Sequence, residues 1–305
     1  MEFREGKYIT QHSEINSSSF RDTLRHSALS ALATLYKITG QMPSLLNRNR
    51  IQFLYLHHVF EDEVSSFSEL LQKLSIRNHF ISYSEAVDRI CNGNIDKPYI
   101  TISFDDGLKS CLRAAKIMNR LGIKSCFFLC GSMLGETNYQ KIAGFCLQRL
   151  QTPPMEFMSW DDVEMLLKQG HEIGSHTMTH PNLAQLSLQQ IQDEITDSFD
   201  LLTEKTGAVK HFSWPLGRFF HFSPTAARIT FETGFKSCAS AERGCHVVQS
   251  SGQSSLCLRR DHTIAKWPVD HILYFMARNS RIASSYSNLW PQGWLEIMQG
   301  ESKCV

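Results

Sequence analysis

The sequence has no apolar run long enough to cross a bilayer. Its longest apolar-leaning stretch, Ala28 to Ile38, is interrupted by Ser30, Thr34 and Lys37, whereas a spanning helix needs about 20 mostly apolar residues. It has no charge surplus either: 31 Lys+Arg face 30 Asp+Glu, a net charge of +1. That argues against a bulk nucleic-acid binder, which would be clearly basic. It also argues against a disordered chain, which needs few apolar residues and a large net charge; here 42% are hydrophobic. There is no internal repeat, no low-complexity segment and no glycine-rich phosphate-binding turn after the first strands. The opening Met1-Glu2-Phe3-Arg4-Glu5 lacks a basic region followed by an apolar one, so no secretory signal is expected. The 9 Cys lack the repeated short spacing of a zinc finger, and an odd number cannot all pair within one chain. They read as reduced thiols of a cytoplasmic protein.

What is present is alternation. Residues 1–50 read as a polar arm followed by an amphipathic helix. Its Phe20, Leu24, Ala28, Leu32, Leu35 and Tyr36 recur at helical spacing. That face is expected to pack on the main domain or a second subunit. With Arg21, Arg25 and Lys37 on its polar side, contact with a membrane surface is the sharper alternative. Residues 51–285 then alternate β-rich runs with helices, among them Ile51–Leu56, Tyr99–Phe104, Ile123–Leu129 and Val209–Trp214. Ser187 with Gln190 opens a long helix ending before Gly207. This pattern predicts an α/β fold, a distorted parallel (β/α) barrel of seven or eight strands with an N-terminal helical extension. Residues 286–305 read as a tail, with Trp290 and Trp294 docking on the barrel.

In such folds the chemistry sits at the carboxyl ends of strands. Three polar constellations fall there. Asp105-Asp106-Gly107 follows an apolar strand, and adjacent residues leaving a strand point in different directions. One carboxylate can hold a metal while its neighbour faces a water. His176 and His180 are four apart, a spacing that one helical turn would bring to one side, and neutral imidazole is a common zinc ligand. Two His and one carboxylate make an open three-ligand site. Finally, Phe212-Ser213-Trp214-Pro215-Leu216-Gly217-Arg218 supplies a turn that could line a pocket wall. Trp160 and Trp214 could stack on sugar faces, although packing is equally open to them. His211 and His221 read as solvent-exposed.

Thr101-Ile102-Ser103-Phe104-Asp105-Asp106-Gly107 resembles the first motif of the polysaccharide deacetylase family, the carbohydrate esterases of family four with a nodulation-protein-B-like domain. Gly170 to Asn182 resembles its second motif, and Phe212 to Phe219 its third. Leu56-His57-His58-Val59 is similar to a segment that opens one branch. The resemblance implies a metal-dependent hydrolase that removes an acetyl or other acyl group from an amino sugar or glycan. It implies Asp106, His176 and His180 as metal ligands, usually of Zn²⁺, and Asp105 as general base. Trp214, Pro215, Leu216 and Gly217 would border the substrate and the oxyanion.

Two departures stand out. The family's third motif often carries an Arg that orients the base, where this chain has Ser213; Arg260 is a candidate replacement by position, and Arg218 another. No clean Leu-x-His motif supplies the general acid, which leaves His57, preferred, and His262. These departures keep a catalytically weak glycan- or partner-binding barrel open as an alternative, beside hydrolysis of a non-sugar C–N bond. The expected partner is an acylated sugar and no nucleic acid. The expected location is cytoplasmic, peripheral to the inner membrane face if the N-terminal helix touches lipid.

Overall fold

The computed structural model describes residues 6–15, 20–247, 255–284 and 289–298. The N-terminal helix α1 (Phe20–Ile38) is followed by a short helix α2 (Gln41–Leu46). Strand β1 (Arg50–Leu56) is buried along its whole length. The chain then runs through α3 (Val64–Ser75), β2 (His79–Phe80), α4 (Tyr83–Cys91), β3 (Pro98–Phe104), α5 (Cys111–Arg120), β4 (Ser125–Leu129), α6 (Tyr139–Phe145), α7 (Trp160–Lys168) and β5 (Glu172–Ser175). Next come α8 (Leu188–Gln192), α9 (Ser198–Thr206), β6 (His211–Ser213), α10 (Pro224–Thr233), β7 (Ser237–Ala239), β8 (Cys245–His246), β9 (Leu256–Leu258) and β10 (Arg260–His262). Helix α11 (Val269–Asn279), β11 (Ala283–Ser284) and α12 (Trp294–Met298) complete the described chain.

Strands β1, β3, β4, β5, β6, β7 and β9 pair in that order, all parallel. The sheet curls into a nearly closed barrel because β9 and β10, separated only by Arg259, face different neighbours. The first pairs with β7 (Cys238 opposite Cys257). The second pairs with β1 (Phe53 opposite Arg260, Tyr55 opposite His262). Parallel pairing needs long crossovers, and the intervening helices supply them. Strands β3 and β4 read as mostly apolar runs because the barrel buries both of their faces. Phe104 and Phe127 stack with centroids 5.0 Å apart in the interior, and Phe53, Phe67 and Phe128 are buried with them. The distorted (β/α) barrel and its helical extension are thus as the sequence predicts.

Three local expectations need correction, and one strand went unread. Helix α1 packs on α2 and α11 through Ala33, Leu29 and Tyr36, the last meeting Tyr274 edge-on at 4.9 Å. Leu24, Leu32 and Leu35 are exposed instead. The apolar positions allow more than one stripe, and the partner surface selects the narrower one. The long helix after Ser187 opens with the expected capping box, but it is interrupted by a wide turn over Asp193–Asp197 with i to i+5 bonding. His211 is buried, between the hydroxyls of Ser84 and Ser237. Strand β10 was hidden in the sequence by its polar Arg-Asp-His composition.

Among the described residues no helix is long and apolar enough to cross a membrane. The eight described cysteines are free thiols, all but Cys91 buried.

Candidate active site

Strand β3 delivers the two carboxylates. It ends where Asp106 (φ 73°) and Gly107 (φ 80°) adopt left-handed backbone, a sharp reversal that turns Asp105 and Asp106 to different sides. Asp105 remains tied to the barrel, its N–H donating to the Leu56 carbonyl at 3.0 Å. Its carboxylate receives both terminal nitrogens of Arg260 at 2.8 Å each. This bidentate geometry fixes the plane of the carboxylate. The guanidinium is held in turn by the Ser240 carbonyl at 2.9 Å, and it donates to the Ser213 hydroxyl at 2.7 Å. It lies over the Tyr55 ring at 4.4 Å. All these groups are buried.

Asp106 faces the two imidazoles. Its Oδ1 lies 3.4 Å from His176 Nε2 and 3.5 Å from His180 Nε2. One helical turn does not bring them together, as the spacing suggested. Residues 176–180 form a loop in which Thr177 (φ 66°) and His180 (φ 55°) are left-handed. Glu194, inside the wide turn between α8 and α9, clamps this loop. It accepts from the N–H groups of Met178 (3.0 Å) and Thr179 (2.9 Å) and from the Thr179 hydroxyl. Sequence reading missed Glu194, because only the departure from regular helix marks it. Non-glycine residues with positive φ are uncommon and cluster where function holds a backbone under strain. Of the five among the described residues, Asp106, Gln151, His180 and Leu216 line one cavity and Thr177 sits between the two histidines.

The charges fit their surroundings. Burial pushes the pKa of both aspartates up, but Arg260 for Asp105 and the histidines for Asp106 outweigh it, so both lie below the ordinary value. Burial lowers His180 to about 4, leaving a neutral imidazole at neutral pH. For His176 burial acts in the same sense, but Asp106 and Asp105 outweigh it and raise the pKa. The Nδ1 of His176 lies 2.7 Å from the Ser213 carbonyl. That contact fixes Nδ1 as the protonated nitrogen and leaves the Nε2 lone pair for Asp106's side of the ring. Asp106 Oδ1 is buried without a hydrogen bond. The three ligand atoms lie within 4.8 Å of one another. A buried carboxylate oxygen and two imidazoles converging on one region form a donor set that fits a divalent ion such as zinc.

The cavity has a volume of about 390 Å³, in the range of small-molecule sites. Asp105, Asp106, His176 and His180 share it with His57, His262, Tyr55 and Arg260. The rings of His57 and His262 have centroids 5.1 Å apart, because Tyr55 and His262 are partners across β1 and β10. Leu216, exposed at the rim, and Gly217 form the third-motif wall. A side chain at Gly217 (φ 66°) would meet the Ala241 Cβ at 2.4 Å. Pro215 is buried outside the cavity lining. Trp214 borders the cavity, as expected. Its ring is buried and stacked on Phe222 at 4.4 Å, so of the two roles open to it the ring takes packing. Trp160 packs beside Gly135, also off the cavity. Arg218 pairs with Glu242 at 3.4 Å and does not reach Asp105. Sequence reading also missed His12 and Ile15, which border the cavity together with residues 149–152. Tyr55 was missed as well, although its place two residues before His57 on a strand could have marked it.

Comparison with known proteins adds to this geometry. Residues 92–237 match the family model described as polysaccharide deacetylase. The peptidoglycan-N-acetylglucosamine deacetylase PgdA of Listeria monocytogenes is 24% identical over 135 residues, 44% of this chain and 24% of its own length. A peptidoglycan-N-acetylglucosamine deacetylase of Bacillus cereus is 28% identical over 127 residues, 41% of this chain and 38% of its own. The chain therefore matches well under half the length of these curated relatives. The structure of IcaB from Ammonifex degensii superposes with a TM-score of 0.61 at 16% identity, covering 75% of this chain and 98% of that one. The Streptococcus pyogenes deacetylase PplD gives 0.58 at 18% identity, covering 74% and 97%. At such identities the likeness is one of fold.

Proposed function

Residues 92–237 match the polysaccharide deacetylase family model, and from that premise we propose that this chain is a metal-dependent hydrolase that removes the acetyl group of an N-acetylated amino sugar in a glycan. The observation that carries the reading is the pairing of two adjacent carboxylates with separate duties. Asp106 converges with His176 and His180 into a ligand set, while Asp105 is held apart by Arg260.

A divalent ion held by Asp106, His176 and His180, with zinc the first choice, would supply Lewis acidity, lowering the pKa of water and polarising the acyl carbonyl. Asp105, ionised and fixed in plane, accepts the proton of the attacking water. Its pairing with Arg260 keeps it from turning toward the ligand set. The N–H groups at Leu216 and Gly217 border the position of the developing oxyanion. His57 donates the proton to the leaving amine, and His262, in ring contact with it, is the second candidate for that role. The binding-barrel alternative rested partly on Ser213. Arg260 answers that departure by donating to both Ser213 and Asp105. The reading includes a reducing, cytoplasmic setting, supported by the buried free thiols, and an acylated glycan as substrate.

The test is acetate release from N-acetylglucosamine oligomers. Chelator-stripped protein should be inactive and recover on adding Zn²⁺. Asp105→Asn should lose about 10²–10⁴-fold in kcat while keeping its metal. His57→Ala should fall by a similar factor, and His262→Ala by less. Release of no acid from any acylated sugar by the metal-loaded protein would refute the proposal.

A further inference from the structure

A second cluster of ligand-bearing side chains lies where the N-terminal arm meets the barrel. His12 comes from the arm, His58 from the segment after β1, and Glu63 from the single turn Glu61–Glu63. One ligand atom from each lies within 4.8 Å of the other two. The Glu63 side chain is wholly buried, and those of His12 and His58 are 17% and 14% exposed. His58 Nδ1 lies 2.9 Å from Glu63 Oε2, which also accepts the Phe60 N–H at 2.9 Å. The other oxygen differs. Glu63 Oε1 and His12 Nδ1 approach to 3.2 Å, yet both are buried without a hydrogen bond. A buried carboxylate oxygen normally has a partner. At the catalytic cluster Asp106 Oδ1 shows the same signature, 3.4 and 3.5 Å from two imidazoles and without a hydrogen bond.

We propose that His12, His58 and Glu63 form a second site for a divalent ion of zinc's class, which fastens the N-terminal arm to the barrel. Two imidazoles and a carboxylate match the borderline donor preference of zinc. The neighbouring contacts suit a clip. The His12 N–H donates to Asp62 Oδ1 at 2.8 Å, and the Glu61 N–H to the Thr10 carbonyl at 3.1 Å. His12 and Ile15 line the cavity that holds Asp105 and Asp106. An ion here would therefore fix one wall of that cavity while taking no part in the reaction.

The experiment uses the full chain, stripped with chelator and dialysed against Zn²⁺, with metal counted by elemental mass spectrometry. His12→Ala should bind one equivalent fewer than the unaltered protein. His176→Ala/His180→Ala should retain the equivalent that His12→Ala loses. Because His12 lies on the arm, its replacement spares the barrel. Zn²⁺ should also slow proteolytic cleavage within residues 6–15 of the unaltered protein, but not of His12→Ala. Equal metal content in the unaltered and His12→Ala proteins would overturn the proposal, whatever the activity assay reports. So would loss of all zinc from the His176→Ala/His180→Ala protein.

Discussion

Arg260 and Asp105 form a buried ion pair, and such a pair is most sensitive to losing one member. Arg260→Met leaves the Asp105 charge without its partner, which costs about 3–5 kcal/mol. The double change Arg260→Met/Asp105→Asn leaves neither charge and should regain a large part of that loss. Urea unfolding of the two single variants and the double variant checks this. A double variant no more stable than the additive sum of the singles would mean that the charges are not coupled. The same residues mark how far sequence reading reaches. Asp105, Asp106, His176 and His180 were legible because each group lies within a few residues of chain. Arg260 reaches Asp105 across 155 positions, so only its position suggested the contact. The spacing of the histidines was read correctly and its geometry was not, because two left-handed residues do what a helical turn was expected to do.

At the scale of elements, Glu172 joins β5 to α4. Its carboxylate accepts the Ser84 N–H at 3.0 and 3.1 Å and the Ser84 hydroxyl. It thus sits at the positive end of the helix. Burial opposes its ionisation, but His211 and Ser84 outweigh burial and lower its pKa from 4.5 to about 2. The folded value lies below the unfolded one. Glu172 therefore adds stability above about pH 4.5, and loses it as pH falls from there toward 2. Glu172→Gln should flatten the acid side of the stability curve, measured as urea midpoints across that interval. An unchanged slope would assign the acid sensitivity elsewhere. Sequence pattern located the Ser187 capping box. It could not locate the wide turn at Asp193–Asp197, since the apolar spacing continues through it and only Glu194's grip on the histidine loop gives it a purpose.

For the molecule as a whole, the alternation of strands and helices was enough to indicate a barrel, because a parallel sheet forces crossovers of that length. The closing strand was not legible. Polar side chains satisfied by distant partners carry no apolar signature, and Asp261 is an example, bonded to Gln52 at 2.6 Å and Asn279 at 2.9 Å. Closure predicts how the thiols behave. Seven of the eight described cysteines are buried and should resist a thiol reagent in native protein, with Cys91 alone reacting among them. All should become reactive in one step across the urea transition. Gradual exposure below the midpoint would indicate a barrel that opens in parts.

That closing strand also sets an order in time. Asp105 is synthesised 155 residues before Arg260, a delay of roughly 8–30 s at ribosomal rates of about 5–20 residues per second. Throughout that interval the nascent chain carries the proposed base without its counter-charge and β1 without its closing neighbour. The pocket comes into being only when residues 256–262 emerge, so a chain halted before them is an open sheet with an unpaired edge.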